Sequence, residues 1–339
     1  MSLLEKNTVN EFYEAAKEPT LAGRWITIKD IQGLVTTKIG FSEENRPIYG
    51  VKLGTGKKKI LIWTQMHGNE STGTKAVFDF INFIGLANEV SEQILSSCTL
   101  LIIPILNPDG AERYTRENAH QIDLNRDAVD RLATESKLLR AHLDDFQPDF
   151  CFNLHDQRTI FGVEGTKNPA TISFLAPSEE VTRAITPGRK KTMNVIIAMN
   201  QLLQTIIPNH LGRYTDEFYP TATGDNFQKL GYSTILIESG HYYNDYDREK
   251  VREFTFYALL QGVYHISRVN DFIEYKAYFD IPNNDEMFLD IVKRGKNNVD
   301  IAYQYDEQII DNEFVLVPQK VKKVDLKSKL FHNENDFVE

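Results

Sequence analysis

The chain has 339 residues, of which 41% are hydrophobic and 25% charged, and its formal net charge is −10. These values are typical of a globular protein with one large core, or one core and a small appendage. The negative charge disfavours nucleic acid and anionic membranes as partners. The first residues lack an apolar core of the signal-peptide type, and no segment approaches roughly 18 uninterrupted apolar residues. We therefore expect a cytoplasmic protein, unless a signal peptide has been removed.

Two cysteines, Cys98 and Cys151, both lie in apolar, strand-like runs. A thiol in such a run packs as a small hydrophobic group. This usage excludes a disulfide framework and a cysteine-rich zinc site.

Strand-like and helical patterns alternate along the chain. Residues 33–55 are typical of a hairpin at a sheet edge. The strand-like runs after it are 58–65, 98–106, 149–155, 170–175 and 233–238, and the helical patterns are 71–87, 133–146, 179–206 and 246–268. Strands that are apolar on both faces and alternate with helices predict an α/β fold with a mostly parallel sheet covered by helices.

The texture of the sequence changes after about residue 272. Apolar and polar residues then alternate, with the apolar or aromatic positions at Val299, Ile301, Tyr303 and Tyr305, and a lysine-rich stretch follows. Strict alternation favours strands. We expect one main domain over residues 1–272 and a small β-rich extension over residues 273–339, in which the lysines form a solvated face.

The segment WTQMHGNE places His67 and Glu70 three residues apart where an apolar strand ends. A histidine and a carboxylate at that spacing, after a turn at Gly68, could converge on one metal ion. The motif is weak alone, because the same spacing recurs at His120/Asp123 and His142/Asp145.

Other strand ends also carry chemistry. The strand at 98–106 runs into a polar loop, NPDGAERYTRENAHQIDLNRD, for which we expect no regular structure, while other strands end at His155 and Glu238. Sites in open α/β sheets form outside the carboxyl ends of the strands, and long loops in compact domains are usually functional.

HGNE, NPDG, RENAHQIDLNR, the strand-borne His155 and IESG, in this order, resemble the zinc carboxypeptidases of the funnel-shaped pancreatic type over residues 55–268. The resemblance implies a mixed eight-stranded sheet with helices on both faces and one catalytic Zn²⁺. It assigns His67, Glu70 and His155 as zinc ligands, a His₂Glu set that leaves an open position. Asp123 would orient the first ligand histidine.

The resemblance also implies hydrolysis of the C-terminal peptide bond of peptides by a zinc-activated water. Glu238 corresponds to the general base, and Arg116 to the arginine that stabilises the oxyanion. Asn125 and Arg126 correspond to the pair that binds the terminal carboxylate of the substrate.

Tyr219 has the spacing of the tyrosine that closes over the substrate, with Tyr214 as the alternative. Each of these residues also has an ordinary structural explanation, as a satisfied polar group, a surface ion pair or a packed ring. His241 is interpreted as structural.

Two features depart from the pancreatic pattern. Asp156 and Arg158 follow His155, where they would add charge beside the metal. HGNE and the C-terminal extension also resemble the succinylglutamate desuccinylase and aspartoacylase branch, which cleaves N-acyl amino acids, whereas NPDG favours the peptidases. A third alternative is a catalytically inactive peptide-binding module.

Overall fold

A computed structural model describes residues 3–35, 37–295, 300–322 and 325–336. Within them the α-helices are α1 Lys6–Ala16, α2 Ile28–Ile31, α3 Thr72–Gly85, α4 Glu89–Ser97, α5 Pro108–Arg113, α6 Thr134–Phe146, α7 Pro187–Gln204, α8 Thr223–Lys229 and α9 Glu249–Arg268. The strands are β1 Lys38–Phe41, β2 Pro47–Tyr49, β3 Val51–Leu53, β4 Lys58–Thr64, β5 Cys98–Ile103, β6 Phe150–Asp156, β7 Phe161–Val163, β8 Ile172–Leu175, β9 Leu211–Arg213, β10 Ser233–Ser239, β11 Asn284–Glu286, β12 Phe288–Arg294, β13 Ile301–Ile310, β14 Glu313–Lys320 and β15 Leu330–Asp336.

The central sheet has the strand order β3-β5-β4-β6-β10-β8-β9. Its middle strands β5, β4, β6 and β10 are parallel to one another, whereas β3 and β8 each pair antiparallel with a neighbour. Their carboxyl ends therefore lie at one edge of the sheet, where the predicted site residues are found.

Alternating side chains of the strands supply two cores, one on each face of the sheet. Ile60 and Ile62 pack with residues of α3, α7 and α9, while Leu61 and Trp63 pack with residues of α6 and α8. Period-two alternation with both faces apolar explains why the strands read as continuous hydrophobic runs. The predicted fold class, a mixed, mostly parallel sheet with helices on both faces, is confirmed, and Cys98 and Cys151 are buried free thiols.

The structure differs from the sequence-based expectations in three details. The central sheet has seven strands in the described residues, one fewer than the resemblance implies, because β1 and β2 form a separate hairpin. The loop after β5 contains the helix α5, which begins where the Asn107 side chain accepts a hydrogen bond from the backbone N–H of Gly110. Helix α7 begins at Pro187, later than the periodicity predicts, because Thr186 caps it there.

A second sheet follows the last helix, with the order β14-β13-β12-β15. The β-rich extension is therefore present. It continues from β11, which pairs antiparallel with β7 of the preceding part of the chain. The boundary placed at residue 272 stays a prediction.

A buried ion pair joins two helices on one face of the central sheet. Arg252 of α9 donates to both carboxylate oxygens of Asp79 of α3 at 2.6 and 2.7 Å, and neither side chain is exposed. Arg252 also donates to the backbone carbonyl of Glu18 at 2.8 Å. The pair thus fixes the N-terminal segment to both helices.

We expect Asp79→Ala to lower the free energy of unfolding by about 3 kcal/mol, because it removes the fully buried bidentate partner of Arg252 and leaves only the partly exposed Glu249 carboxylate, 3.2 Å away, as counter-ion. Urea denaturation followed by circular dichroism measures the change. The control is Asp144→Ala, which removes an exposed i,i+4 partner of Arg140 and should cost about 0.5 kcal/mol or less. Equal effects of the two substitutions would contradict the assignment of this pair as a major support.

Candidate metal centre and active site

The turn after β4 positions His67 and Glu70. The strand ends at Thr64, and the Gln65 amide then donates to the carbonyls of Ile26 and Gly68, both at 2.8 Å. A Cβ on Gly68 would lie 1.9 Å from the backbone of Gly110, so only glycine allows this close approach. The hydrogen bonds of the Gln65 side chain and the close packing of Gly68 against Gly110 therefore hold the turn in place.

Three predicted ligands meet beyond the strand ends. The Nδ1 atoms of His67 and His155 are 3.2 Å apart. Oε1 of Glu70 lies 2.8 Å from Nδ1 of His67, and Oε2 of Glu70 lies 2.9 Å from Nδ1 of His155. Among the residues that the structure describes, these three form the group of histidine and carboxylate side chains able to hold a metal ion. His120 and His142 are not part of it.

Asp123 determines which nitrogen of His67 faces the other ligands. Its Oδ1 lies 3.1 Å from Nε2 of His67 and also accepts the backbone N–H of Asn125 at 2.8 Å. When neutral His67 donates from Nε2, Nδ1 presents a lone pair to the Glu70 carboxylate and to His155. A cation among these acceptors removes their mutual repulsion, so the residues fit a His₂Glu zinc site.

Arg116 lies beside the same group. It donates from Nε to Oδ2 of Asp123 at 3.0 Å, and its Nη1 is 3.3 Å from Nδ1 of His67 and 3.5 Å from Oε1 of Glu70. Burial opposes the charge of Asp123, but the hydrogen bond with His67 and the attraction of Arg116 outweigh it and hold the pKa of Asp123 well below its usual range.

Glu238 and His155 occupy paired positions on the adjacent parallel strands β10 and β6. Both line a cavity of about 720 Å³ that also contains His67, Glu70 and Arg116. Burial, followed by the negative charges of Glu70 and Asp156, raises the pKa of Glu238 well above its usual range. A carboxylate with a raised pKa holds a proton more readily than an ordinary one.

Asn125 and Arg126 line another part of this cavity. Asn125 accepts the backbone N–H of Thr223 through Oδ1 at 3.0 Å, while Arg126 donates from Nη1 to the carbonyl of Asn125 at 2.7 Å. Arg126 is exposed. The guanidinium therefore retains further donors for an anionic ligand.

The two candidate tyrosines have different positions. Tyr219 is 48% exposed and lies outside the cavity lining, with its ring 6.0 Å from the guanidinium carbon of Arg126. Tyr214 lines the cavity, and its hydroxyl donates to Gln157 at 2.7 Å. The structure thus brings Tyr214 into the cavity and leaves Tyr219 at the surface beside Arg126.

The charged residues after His155 have separate surroundings. The backbone N–H of Asp156 donates to Glu70 at 3.1 Å, and its carboxylate accepts the Thr72 hydroxyl at 2.7 Å. Arg158 is exposed at the cavity.

His241 is buried and packs against the rings of Tyr246 and His332, in keeping with its structural interpretation.

Several cavity residues were missed by the sequence argument. They are Arg24 in the N-terminal segment, Arg248 before α9, and residues of the C-terminal sheet. Arg248 donates to the carbonyls of Ser239 and Gln157, and so ties the ends of β10 and β6 together. No motif marks these positions.

A sequence model described as zinc carboxypeptidase matches residues 29–153. Probable carboxypeptidase 2 of Trichophyton verrucosum is 22% identical over 192 residues, which cover 54% of this chain and 34% of that protein. Carboxypeptidase E of Caenorhabditis elegans is 31% identical over 116 residues, which cover 27% of this chain and 25% of that protein. The chain thus spans about a third or less of these curated relatives.

Solved structures share the fold. A metallo-carboxypeptidase from Burkholderia cenocepacia has a TM-score of 0.54 at 18% identity, covering 78% of this chain and 69% of that one. Carboxypeptidase A from Helicoverpa armigera has a TM-score of 0.54 at 14% identity, with 77% and 79% covered. The comparisons confirm the predicted family resemblance and agree with zinc as the cofactor. His155 and Glu238 lie beyond the residues matched by the family model.

We expect the purified protein to bind about one zinc ion per chain and His155→Ala to lose it. Asp123→Ala should weaken zinc binding by roughly 10–100-fold, because His67 loses its orienting acceptor. Metal content is measured by elemental analysis, and affinity by competition with a chelator. His142→Ala is the control. Full zinc occupancy in His155→Ala would remove this residue from the ligand set.

Proposed function

The chain is related to the zinc carboxypeptidases, and from this relationship we propose that it is a metallocarboxypeptidase that hydrolyses the C-terminal peptide bond of peptides. The observation that carries the proposal is the meeting of the His67, Glu70 and His155 group with Glu238 and Arg116 in one cavity. Zinc bound there would polarise the scissile carbonyl and lower the pKa of a water molecule.

Glu238 is the proposed general base. Its carboxylate has no hydrogen bond or ion pair to any other residue that the structure describes, and it lines the cavity beside His155. It is therefore available to take a proton from the attacking water at a carboxylate oxygen and to deliver it to the leaving amine.

Arg116 is the proposed stabiliser of the oxyanion. The Asp123 carboxylate holds its Nε, and its Nη1 points toward the ligand group. A guanidinium fixed before the reaction stabilises negative charge on the substrate oxygen without reorganising.

Asn125 and Arg126 are proposed to bind the terminal carboxylate of the substrate. The free donors of a planar guanidinium can bond both carboxylate oxygens. Tyr219, beside Arg126, is proposed to cover the bound substrate. Its hydroxyl donates only to the exposed Glu217 at 3.2 Å in the described residues, so no buried hydrogen bond holds this hydroxyl.

Hydrolysis of N-acyl amino acids is a second candidate function. It uses the same chemistry on another amide that carries a free carboxylate, and the C-terminal sheet that lines the cavity favours it. An inactive binding module is a weaker alternative, since every proposed catalytic position is filled. In the described residues no helix is long and apolar enough to cross a membrane; the cytoplasmic location stays a prediction.

We expect Glu238→Gln to abolish turnover while zinc content and substrate binding persist, because glutamine keeps the shape but cannot accept the proton. Steady-state kinetics on a peptide and on an N-acyl amino acid should place the loss in kcat. Asp156→Asn is the comparison, since Asp156 is the other carboxylate beside the ligands. Near-normal turnover of Glu238→Gln would transfer the base role to another residue.

Arg126→Ala should reduce the preference for peptides with a free C-terminal carboxylate over the same peptides amidated by roughly ten- to a hundredfold in kcat/KM. The reason is that a charge-assisted contact worth about 1.5–3 kcal/mol is lost only where there is a carboxylate. Arg131→Ala, in the same loop and outside the cavity lining, is the control. A folded, zinc-loaded Arg126→Ala protein with unchanged preference would argue against carboxylate recognition by Arg126.

A further inference from the structure

The C-terminal sheet supplies part of the lining of the catalytic cavity. The contributing residues, here called the C-terminal wall, are Asp290, Gln304, Tyr305, Asp306, Glu307 and Leu316. They come from β12, β13 and β14, far along the chain from the ligand group. The sheet is therefore a boundary of the site as well as an appended unit.

An ion pair between the buried Arg24 and the partly exposed Glu307 attaches one part of the wall to the N-terminal segment. Glu307 accepts Nη2 of Arg24 at 3.0 Å and the hydroxyl of Tyr114 at 2.7 Å, and Arg24 is only 3% exposed. Phe314 of β14 packs edge-on against the Tyr114 ring at 5.4 Å and lies 5.6 Å from the Arg24 guanidinium carbon. Separation of these groups would leave a buried guanidinium without its counter-ion.

Thr159, shortly after β6, fastens another part. Its hydroxyl accepts the amide of Gln304 at 2.7 Å, and its backbone carbonyl lies 2.8 Å from Nε2 of His332. Asp290, which is fully buried, accepts the hydroxyl of Tyr246 at 3.0 Å and the backbone N–H of Tyr305 at 2.7 Å. The wall is thus attached to several other segments that line the cavity, and displacing it breaks several partly buried polar contacts.

We propose that the C-terminal wall restricts this enzyme to short substrates, namely peptides of a few residues, and excludes long peptides and protein tails. The inference rests on the proposed function and names its substrate class. A volume of about 720 Å³ lies within the range of about 300–1,000 Å³ that is usual for small-molecule sites. On this inference, the part of a longer chain that does not fit the cavity meets the wall, which its contacts with Arg24, Tyr114 and Thr159 hold in place.

A length series tests the proposal with the zinc-loaded full chain. The peptides have 2, 3, 6 and 12 residues, so their extended lengths run from that of a dipeptide to that of a protein tail. All of them end in the same two residues and carry a free C-terminal carboxylate. We expect kcat/KM for the tripeptide to exceed that for the dodecapeptide by at least tenfold. Equal values across the series would overturn the restriction and leave the proposed function standing.

Variants of the wall make the test specific. Leu316→Ala shortens an apolar lining side chain without breaking a hydrogen bond. It should raise the ratio of kcat/KM for the dodecapeptide to that for the tripeptide at least threefold. Val315→Ala, the preceding residue on the same strand and outside the lining, is the control. Tyr305→Ala and Tyr303→Ala form a second pair on β13. Unchanged ratios in folded Leu316→Ala and Tyr305→Ala proteins would remove the wall as the cause.

A binding measurement separates this inference from the proposed function. The zinc-loaded Glu238→Gln protein is titrated with the tripeptide and with the dodecapeptide by calorimetry. Tighter binding of the tripeptide supports the restriction even if the wild-type protein hydrolyses neither peptide, a result that would overturn the proposed function alone. Equal binding of both peptides would overturn the restriction.

Discussion

The parallel pairing of β4, β6 and β10 is the constraint on which the rest of the site depends. Parallel strands bring their carboxyl ends to one edge of the sheet, and the register places Glu238 beside His155. His67 and Glu70 lie in the turn that follows β4. A one-residue slip of β6 against β10 would turn His155 to the opposite face, so the two cores that fix the register also fix the chemistry.

A second layer of contacts turns that placement into a defined donor set. Asp123 accepts from His67 and holds Arg116 through its other oxygen. One carboxylate therefore orients the imidazole of a proposed metal ligand and aims a guanidinium at the same point. Such coupling explains why a loop without a regular period can carry as much of the chemistry as the strands: its polar side chains are fixed by one another and by the ligands.

The C-terminal sheet forms part of the cavity as well as a separate structural unit. Glu307 and its neighbours in this sheet line the same cavity as the ligand group. The same side chains that attach the extension to the rest of the chain also bound the site. Attachment of the extension and formation of the cavity thus depend on one set of contacts.

The sequence by itself determined the α/β class, the parallel strands at the middle of the sheet and the helices α3, α6, α7 and α9, because hydrophobic periodicity marks strands and helices. Its resemblance to a known family pointed to His67, Glu70 and His155, which are ligand-type residues at or just after strand ends. The ligand assignment also needed the order of the motifs, since His120/Asp123 and His142/Asp145 have the same spacing. The helix α5 escaped notice because six residues are too few to show a period.

Only the tertiary structure decided what surrounds that group. Arg24 and Glu307 are 283 positions apart, and neither belongs to a motif, so nothing local indicates that they meet. The position of Tyr219 outside the cavity lining and of Tyr214 within it depends on the path of a loop rather than on spacing. The sheet fixes the positions of side chains at its strand ends. The residues that surround them in the cavity come from distant segments, and packing of the whole chain decides where those segments lie.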